Sequence, residues 1–182
     1  MPDEAVWASF FSPEKSLRAL GLEPGMDGVV EFGCGYGTFT LPAAEICRGI
    51  VHSFEIEPEM VQLVRKRARS RDLQNIQVHH RDFVADGTGL PAASADYAML
   101  FNILHAEHPE DLLREAYRVL RPGGVLGIMH WNPSADTPRG PPMHMRPTSA
   151  HCQEWAEAVG FQVRDPSVDL PPHHFGVVLT RP

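Results

Sequence analysis

Three acids, each standing where a strand-like run ends, are the residues of this chain best suited to hold a polar ligand: Glu31, Glu55 and Asp82. Glu31 lies two residues before the first of three glycines, Gly33, Gly35 and Gly37, in the string VVEFGCGYGTF. Glycine there lets the backbone take positive φ and lets a ligand come close, and the helix that follows offers unpaired N–H groups. This predicts a nucleotide-like cofactor. The spacing G-x-G-x-G is one residue shorter than the dinucleotide fingerprint, and a carboxylate ahead of the glycines suits a cationic ligand group better than a phosphate. Glu55, which ends the second strand-like run in the string SFEIEPEM, can accept from both hydroxyls of a ribose, which supports adenosine without choosing between cofactors. Read alone, Glu55 is also a solvent-exposed strand-end acid, and Arg81-Asp82 is equally a surface ion pair.

The string VVEFGCGYG closely resembles motif I of the class I S-adenosylmethionine (SAM) dependent methyltransferases. In that resemblance Glu55 binds the ribose and Ile56 packs on the adenine. Asp82 and Phe83, in IQVHHRDFV, match the positions where an acid accepts from the adenine amino group and its neighbour covers the ring. The segment Leu113–Ile128, LREAYRVLRPGGVLGI, resembles the amphipathic helix, turn and fifth strand of the same family. The resemblance runs from about Val29 to Ile128, and more loosely to the C-terminus. It implies SAM as methyl donor and S-adenosylhomocysteine as product. The donor set would be Glu31, Gly33, Gly35, Gly37, Thr38, Glu55, Ile56, Asp82, Phe83 and Phe101.

Phe101-Asn102-Ile103-Leu104-His105 follows the fourth strand, where donor and acceptor meet in this fold. The family branch that methylates exocyclic or amide nitrogens has Asn-Pro-Pro-Tyr there; its absence argues against nucleic-acid bases and glutamine as acceptors. Methyl transfer from a sulfonium is an in-line displacement, so a general base is needed only for a protonated acceptor. Histidine suits that task, and His105 is favoured over His130, with Asn102 as a hydrogen-bonding contact. For both histidines a packing role is the competing reading. The Pro-rich connection Trp131–Pro147 is expected to wall the acceptor pocket. Trp131 would offer an apolar face, and Arg139 or Arg146 would pair with an anionic group; otherwise the arginines are solvated. His173-His174 and His105-x-x-His108 lack a third ligand at telling spacing, so no metal is expected.

The elements that must position these residues alternate. Strands are predicted at Gly28–Phe32, Ile50–Glu55, Ile76–His80, Ala95–Phe101 and Val125–Trp131, and helices at Pro13–Leu20, Thr38–Cys47, Pro58–Ser70, Glu110–Leu120 and Ser149–Val159. Two further strands, Phe161–Val168 and Phe175–Thr180, lie too close for a parallel crossover and predict a hairpin. The expected fold is α/β: a three-layer, doubly wound, mostly parallel seven-stranded sheet with an antiparallel last strand. One methyltransferase domain, 1–182, is expected. It would comprise an N-terminal helical segment (1–27), a SAM-binding core (28–131), a substrate-side loop (132–147) and a C-terminal helix and hairpin (148–182).

With 182 residues, 43 % hydrophobic and 21 % charged, the composition is globular, and no apolar run suggests a membrane span. Three cysteines without C-x-x-C spacing argue against disulfides or structural zinc, and a cytoplasmic location is expected. A net charge of -7 argues against nucleic acid, and the basic run Arg65–Arg71 reads as a solvated helix face. The expected partner is a small organic acceptor. Few residues precede the first strand, so the exposed apolar segment Trp7–Phe11, the Pro-rich loop or a second subunit would have to enclose it; a homodimer is one such arrangement. The alternatives are a protein or peptide side-chain methyltransferase, a SAM-binding module without catalysis and, remotely, an NAD-dependent dehydrogenase.

Overall fold

In the central strands apolar residues occupy both faces of the pleat, and this is what commits them to a sheet covered by helices on both sides. The computed structural model describes residues 4–134, 137 and 139–182; Ala135, Asp136 and Pro138 of the predicted substrate-side loop lie outside the described residues. In chain order the elements are α1 (Glu4–Ala8), α2 (Pro13–Ala19), β1 (Gly28–Phe32), α3 (Thr40–Ile46), β2 (Ile50–Glu55), α4 (Pro58–Ser70) and β3 (Ile76–His80). They continue with α5 (Phe83–Asp86), β4 (Ala95–Phe101), α6 (Pro109–Val119), β5 (Leu120–Trp131), α7 (Ser149–Val159), β6 (Gln162–Leu170) and β7 (His174–Thr180). The sheet order is β3-β2-β1-β4-β5-β7-β6. β7 runs antiparallel to both its neighbours, while β3, β2, β1, β4 and β5 are mutually parallel. The expected seven-stranded architecture is therefore present, with its order reversing between β1 and β4.

Alternation divides the core. Val30, Phe32, Ala98, Leu100, Leu126, Ile128, Val177 and Leu179 form one cluster with residues of α6 and α7. Their chain neighbours Val29, Tyr97, Met99, Val125, Met129 and Val178 form a second with α2 and α3, and Val61 and Val64 of α4 form a smaller third with Cys34 and Val78. α6 meets the sheet because Leu112, Leu113, Ala116 and Val119 fall on one side of the helix, and Pro109 starts it. α7 is held by a capping box in which Thr148 Oγ1 accepts from the His151 N–H and His151 Nδ1 accepts from the Thr148 N–H; it stops at Gly160, whose φ is 114°.

Two helices, α1 and α5, go beyond the expected set, and α3 begins later than Thr38. Gly37, at φ 77°, and the turn through Phe39 take up those residues. β5 reaches back to Leu120, which pairs with Ala95 across a bulge.

At the start of β4, Asp96 links three segments. Its Oδ2 accepts from the backbone N–H groups of Asp27 and Gly28, and its Oδ1 lies 2.7 Å from Arg121 Nε. The Asp96 side chain is 7 % exposed and that of Arg121 59 %. The buried acceptor should therefore matter more than the solvated ion pair. Asp96→Ala is expected to lower unfolding free energy by about 2 kcal/mol, and Arg121→Ala by less than about 1 kcal/mol, in urea denaturation. Equal losses would show that the ion pair, and not the two backbone donors, carries the contribution.

Candidate active site

β1 runs into the glycine turn, where Gly33, Gly35 and Gly37 have φ of 81°, 49° and 77°. The N–H groups of Gly33 and Cys34 both donate to the carbonyl of Phe54, at 3.0 and 3.1 Å, which ties the turn to the end of β2. Glu55 finishes this attachment. Its Oε2 accepts from Gly35 N–H at 2.8 Å, and its Oε1 accepts from Ile56 and Glu57 N–H at 2.9 and 3.0 Å. Beneath the turn, Glu31 is 4 % exposed, and its Oε2 accepts from the hydroxyls of Thr40 and Ser53. Burial outweighs these bonds and pushes the Glu31 carboxyl up to about 7.

A cavity of about 180 Å³ opens above these groups. Of the predicted donor residues, Glu31, Gly33, Gly35, Thr38, Glu55 and Phe101 line it, together with Asn102, expected as a hydrogen-bonding contact beside His105. Gly37 turns away: a Cβ there would meet Val64 Cγ2 at 3.1 Å, so its role is to let α4 approach. Ile56 lies outside the enclosed part and is 52 % exposed. Asp82 and Phe83 also lie outside it. Asp82 Oδ1 accepts from Val84 and Ala85 N–H as the cap of α5, and Phe83 is buried edge-on against Phe32 with ring centroids 5.7 Å apart. Those two residues are thus partly committed to local structure, a consequence of the unanticipated α5. Trp7, Phe39 and Ile103 line the cavity as well. Phe39 and Ile103 directly follow the glycine turn and β4, and that adjacency is the only sequence signal they carry.

A second cavity, about 470 Å³, adjoins the first across Trp7 and Asn102, which line both. Asn102 sits at the end of β4 with φ 56°, its N–H donating to the Met129 carbonyl at 2.7 Å. Asparagine is among the few side chains that tolerate this conformation. Three polar atoms around the cavity, Asn102 Oδ1, His105 Nδ1 and His130 Nε2, are buried without a hydrogen-bond partner among the described residues. His105 lines the cavity; His130 lies behind it, fully buried, with ring centroids 5.5 Å apart. Burial lowers the pKa of His105 and pushes those of His130 and His174 down to about 3, so all three imidazoles are neutral at pH 7.

Trp131 and Arg139 also border this cavity, with Gly140 and Pro141. Arg146 departs from expectation. It is 9 % exposed and donates to the carbonyls of Pro141, Asn132 and Arg139 and to Thr137 Oγ1, so its guanidinium holds the loop instead of facing an acceptor. Trp7, Phe10 and Phe11 also differ from the exposed segment expected. Phe10 is 4 % exposed, and Trp7 and Phe11 pack against Trp131, Phe39 and His174 of the same chain, with centroids 4.7–6.4 Å apart. α1 is fixed over the glycine turn by Glu4, 2.6 Å from Arg67, which also donates to the Tyr36 carbonyl.

Comparison with known proteins agrees with this geometry. Residues 29–124 match the family described as a methyltransferase domain. Aklanonic acid methyltransferase DauC of Streptomyces sp. (strain C5) is 37 % identical over 53 % of this chain and 44 % of its own length. The protein-L-isoaspartate O-methyltransferase of Pyrococcus horikoshii is 33 % identical over 62 % of this chain and 47 % of its own. The chain thus spans about half the length of these curated relatives. A crystal structure of a SAM-dependent methyltransferase from Aquifex aeolicus superposes with a TM-score of 0.84 at 25 % identity, covering 97 % of this chain and 93 % of that one. With the reversed strand order and the acid-flanked glycine turn, these matches establish that the chain belongs to the class I SAM-dependent methyltransferases.

Proposed function

We propose that this chain transfers the methyl group of SAM to a small organic acceptor. The observation that carries this reading is the pair of adjoining cavities: one holds two carboxylates, the other none among its described lining residues, and Trp7 and Asn102 form the wall between them. When bound, SAM supplies a methyl group on a sulfonium, open to in-line displacement. The chain's own groups suit that cation. Glu55 keeps acceptor capacity for a ribose after its three backbone bonds, because a carboxylate has about four lone-pair sites. Exposed Ile56 offers a face to the adenine. Glu31, in the floor of the cavity, is placed to meet a cationic group.

On the acceptor side the second cavity falls within the size range of small-molecule sites. Trp7, Trp131, Gly140 and Pro141 wall it, and Asn102 orients the acceptor at the shared wall. His105, neutral at pH 7, can take the proton of a hydroxyl or ammonium acceptor. The relative named for an aklanonic acid substrate supports a small acceptor; the relative named for protein isoaspartate keeps a side-chain acceptor as the second reading. Labelling with isotopic SAM separates them: label in small molecules supports the first and label in polypeptide the second.

Calorimetric titration tests the donor site. SAM and S-adenosylhomocysteine should bind with micromolar affinity, Glu55→Ala should weaken both by more than about tenfold, and NADH should not bind. Binding of NADH, or of no adenosyl compound, would overturn the assignment. Glu31 adds a pH signature. Its carboxyl titrates near 7 before binding, and a neighbouring cation favours the ionised form, so donor binding at pH 6.5 should release a proton and at pH 9 should not. Binding enthalpy at pH 6.5 should therefore vary with the ionisation enthalpy of the buffer, and Glu31→Gln should abolish the dependence. A buffer-independent enthalpy in the wild type would place the cation away from Glu31.

A further inference from the structure

The two cavities differ in charge as well as in position. Glu31 and Glu55 make the first acidic. Among the described residues lining the second, none carries a carboxylate, and Arg139 supplies a guanidinium. Burial lowers the pKa of the lining His105, and of His130 and His174 beyond it, which favours uncharged imidazoles at neutral pH. Among the described lining residues Arg139 is therefore the fixed charge; the Arg146 guanidinium, 5.8 Å from the Trp131 ring centroid, is held by the carbonyls of Pro141, Asn132 and Arg139.

Its backbone is anchored. The Arg139 carbonyl accepts from Thr137 Oγ1 and from Arg146 Nη2, and Arg146 in turn binds the carbonyls of Asn132 and Pro141. The next residue, Gly140, lies against the indole of Trp131, where a Cβ would come within 2.9 Å of the ring. These contacts use one loop arginine as a staple and leave the other at the cavity wall. Arg139 lines only the second cavity, whereas Trp7 and Asn102 also line the first. A group held by Arg139 thus stands apart from the donor, and the reacting atom belongs at the Trp7–Asn102 wall.

We infer that the acceptor is an apolar organic acid: its carboxylate is held by Arg139, its hydrocarbon body contacts Trp7, Trp131 and Pro141, and a different atom of it faces the donor. Arg139 is then a specificity determinant that acts on acceptor binding. This inference rests on the methyltransferase reading above.

The test uses chain saturated with S-adenosylhomocysteine, titrated calorimetrically with 2-naphthoate, the neutral 2-naphthamide and the cationic 2-naphthylmethylamine. The acid should bind about tenfold more tightly than the amide, and the amine most weakly. Arg139→Gln should remove the preference, Arg139→Lys should keep part of it, and Arg164→Gln, exposed on β6, should leave it unchanged. Because Arg139 is exposed, the preference should also shrink as salt is raised. Equal or weaker binding of the acid, no binding of it up to millimolar concentration, or a preference that survives Arg139→Gln would overturn the inference. Titrating each variant with S-adenosylhomocysteine separates the two failures. Normal product binding without acid preference refutes only the acceptor class, whereas loss of product binding in the wild type refutes the donor site itself.

Discussion

The Glu55 carboxylate is the contact on which the rest of the site depends. It gathers the N–H groups of Gly35, Ile56 and Glu57, and so joins the turn after β1 to the turn after β2. Parallel strands bring their carboxyl ends to one edge, but they do not connect the loops that leave it. Here a single side chain does so, while its neighbour Phe54 accepts from Gly33 and Cys34. The glycines make this attachment feasible, because three residues in alternation take positive φ. Loop shape and the proposed ribose contact thus draw on the same carboxylate, which pre-organises the site before any ligand arrives.

Across the sheet's reversal point, polarity changes within a few residues. The acids lie at the ends of β1 and β2, the histidines and Arg139 around the ends of β4 and β5, and Asn102 between them. Asn102 can stand there because its left-handed conformation turns the chain sharply out of β4, with its N–H still paired to Met129. α1 and the end of β5 then add Trp7 and Trp131, which belong to one aromatic group with Phe10 and Phe11. The enclosure of the second cavity is therefore built from segments distant in sequence, and its chemistry is set by which charged side chains those segments use internally.

That distinction explains what could be read from the residues alone. The glycine turn, the acids at strand ends, the sheet and most helix limits follow from local rules: alternation, prolines at helix starts and glycines at turns. α4 and α7 occupy the spans expected, and the last two strands pair as a hairpin. The choice between Arg139 and Arg146 was not legible, because it depends on a network of carbonyls that exists only once the loop is folded. Trp7, Phe10 and Phe11 read as exposed because nothing near them in sequence covers them; Trp131 and His174 do so in space. Asp82 follows the end of β3 as its position in the sequence implies, yet Val84 and Ala85 of the short helix after it take up one of its oxygens. The size of the second cavity likewise depends on tertiary closure and had no sequence signal.

The most direct measurement is a crystal structure of this chain with S-adenosylhomocysteine. The ribose hydroxyls should lie within hydrogen-bond distance of Glu55 while Gly35, Ile56 and Glu57 keep their bonds to it. The sulfur should face the wall formed by Trp7 and Asn102. An adenosyl group bound elsewhere, or a sulfur directed away from Asn102, would contradict the division of the site into donor and acceptor cavities.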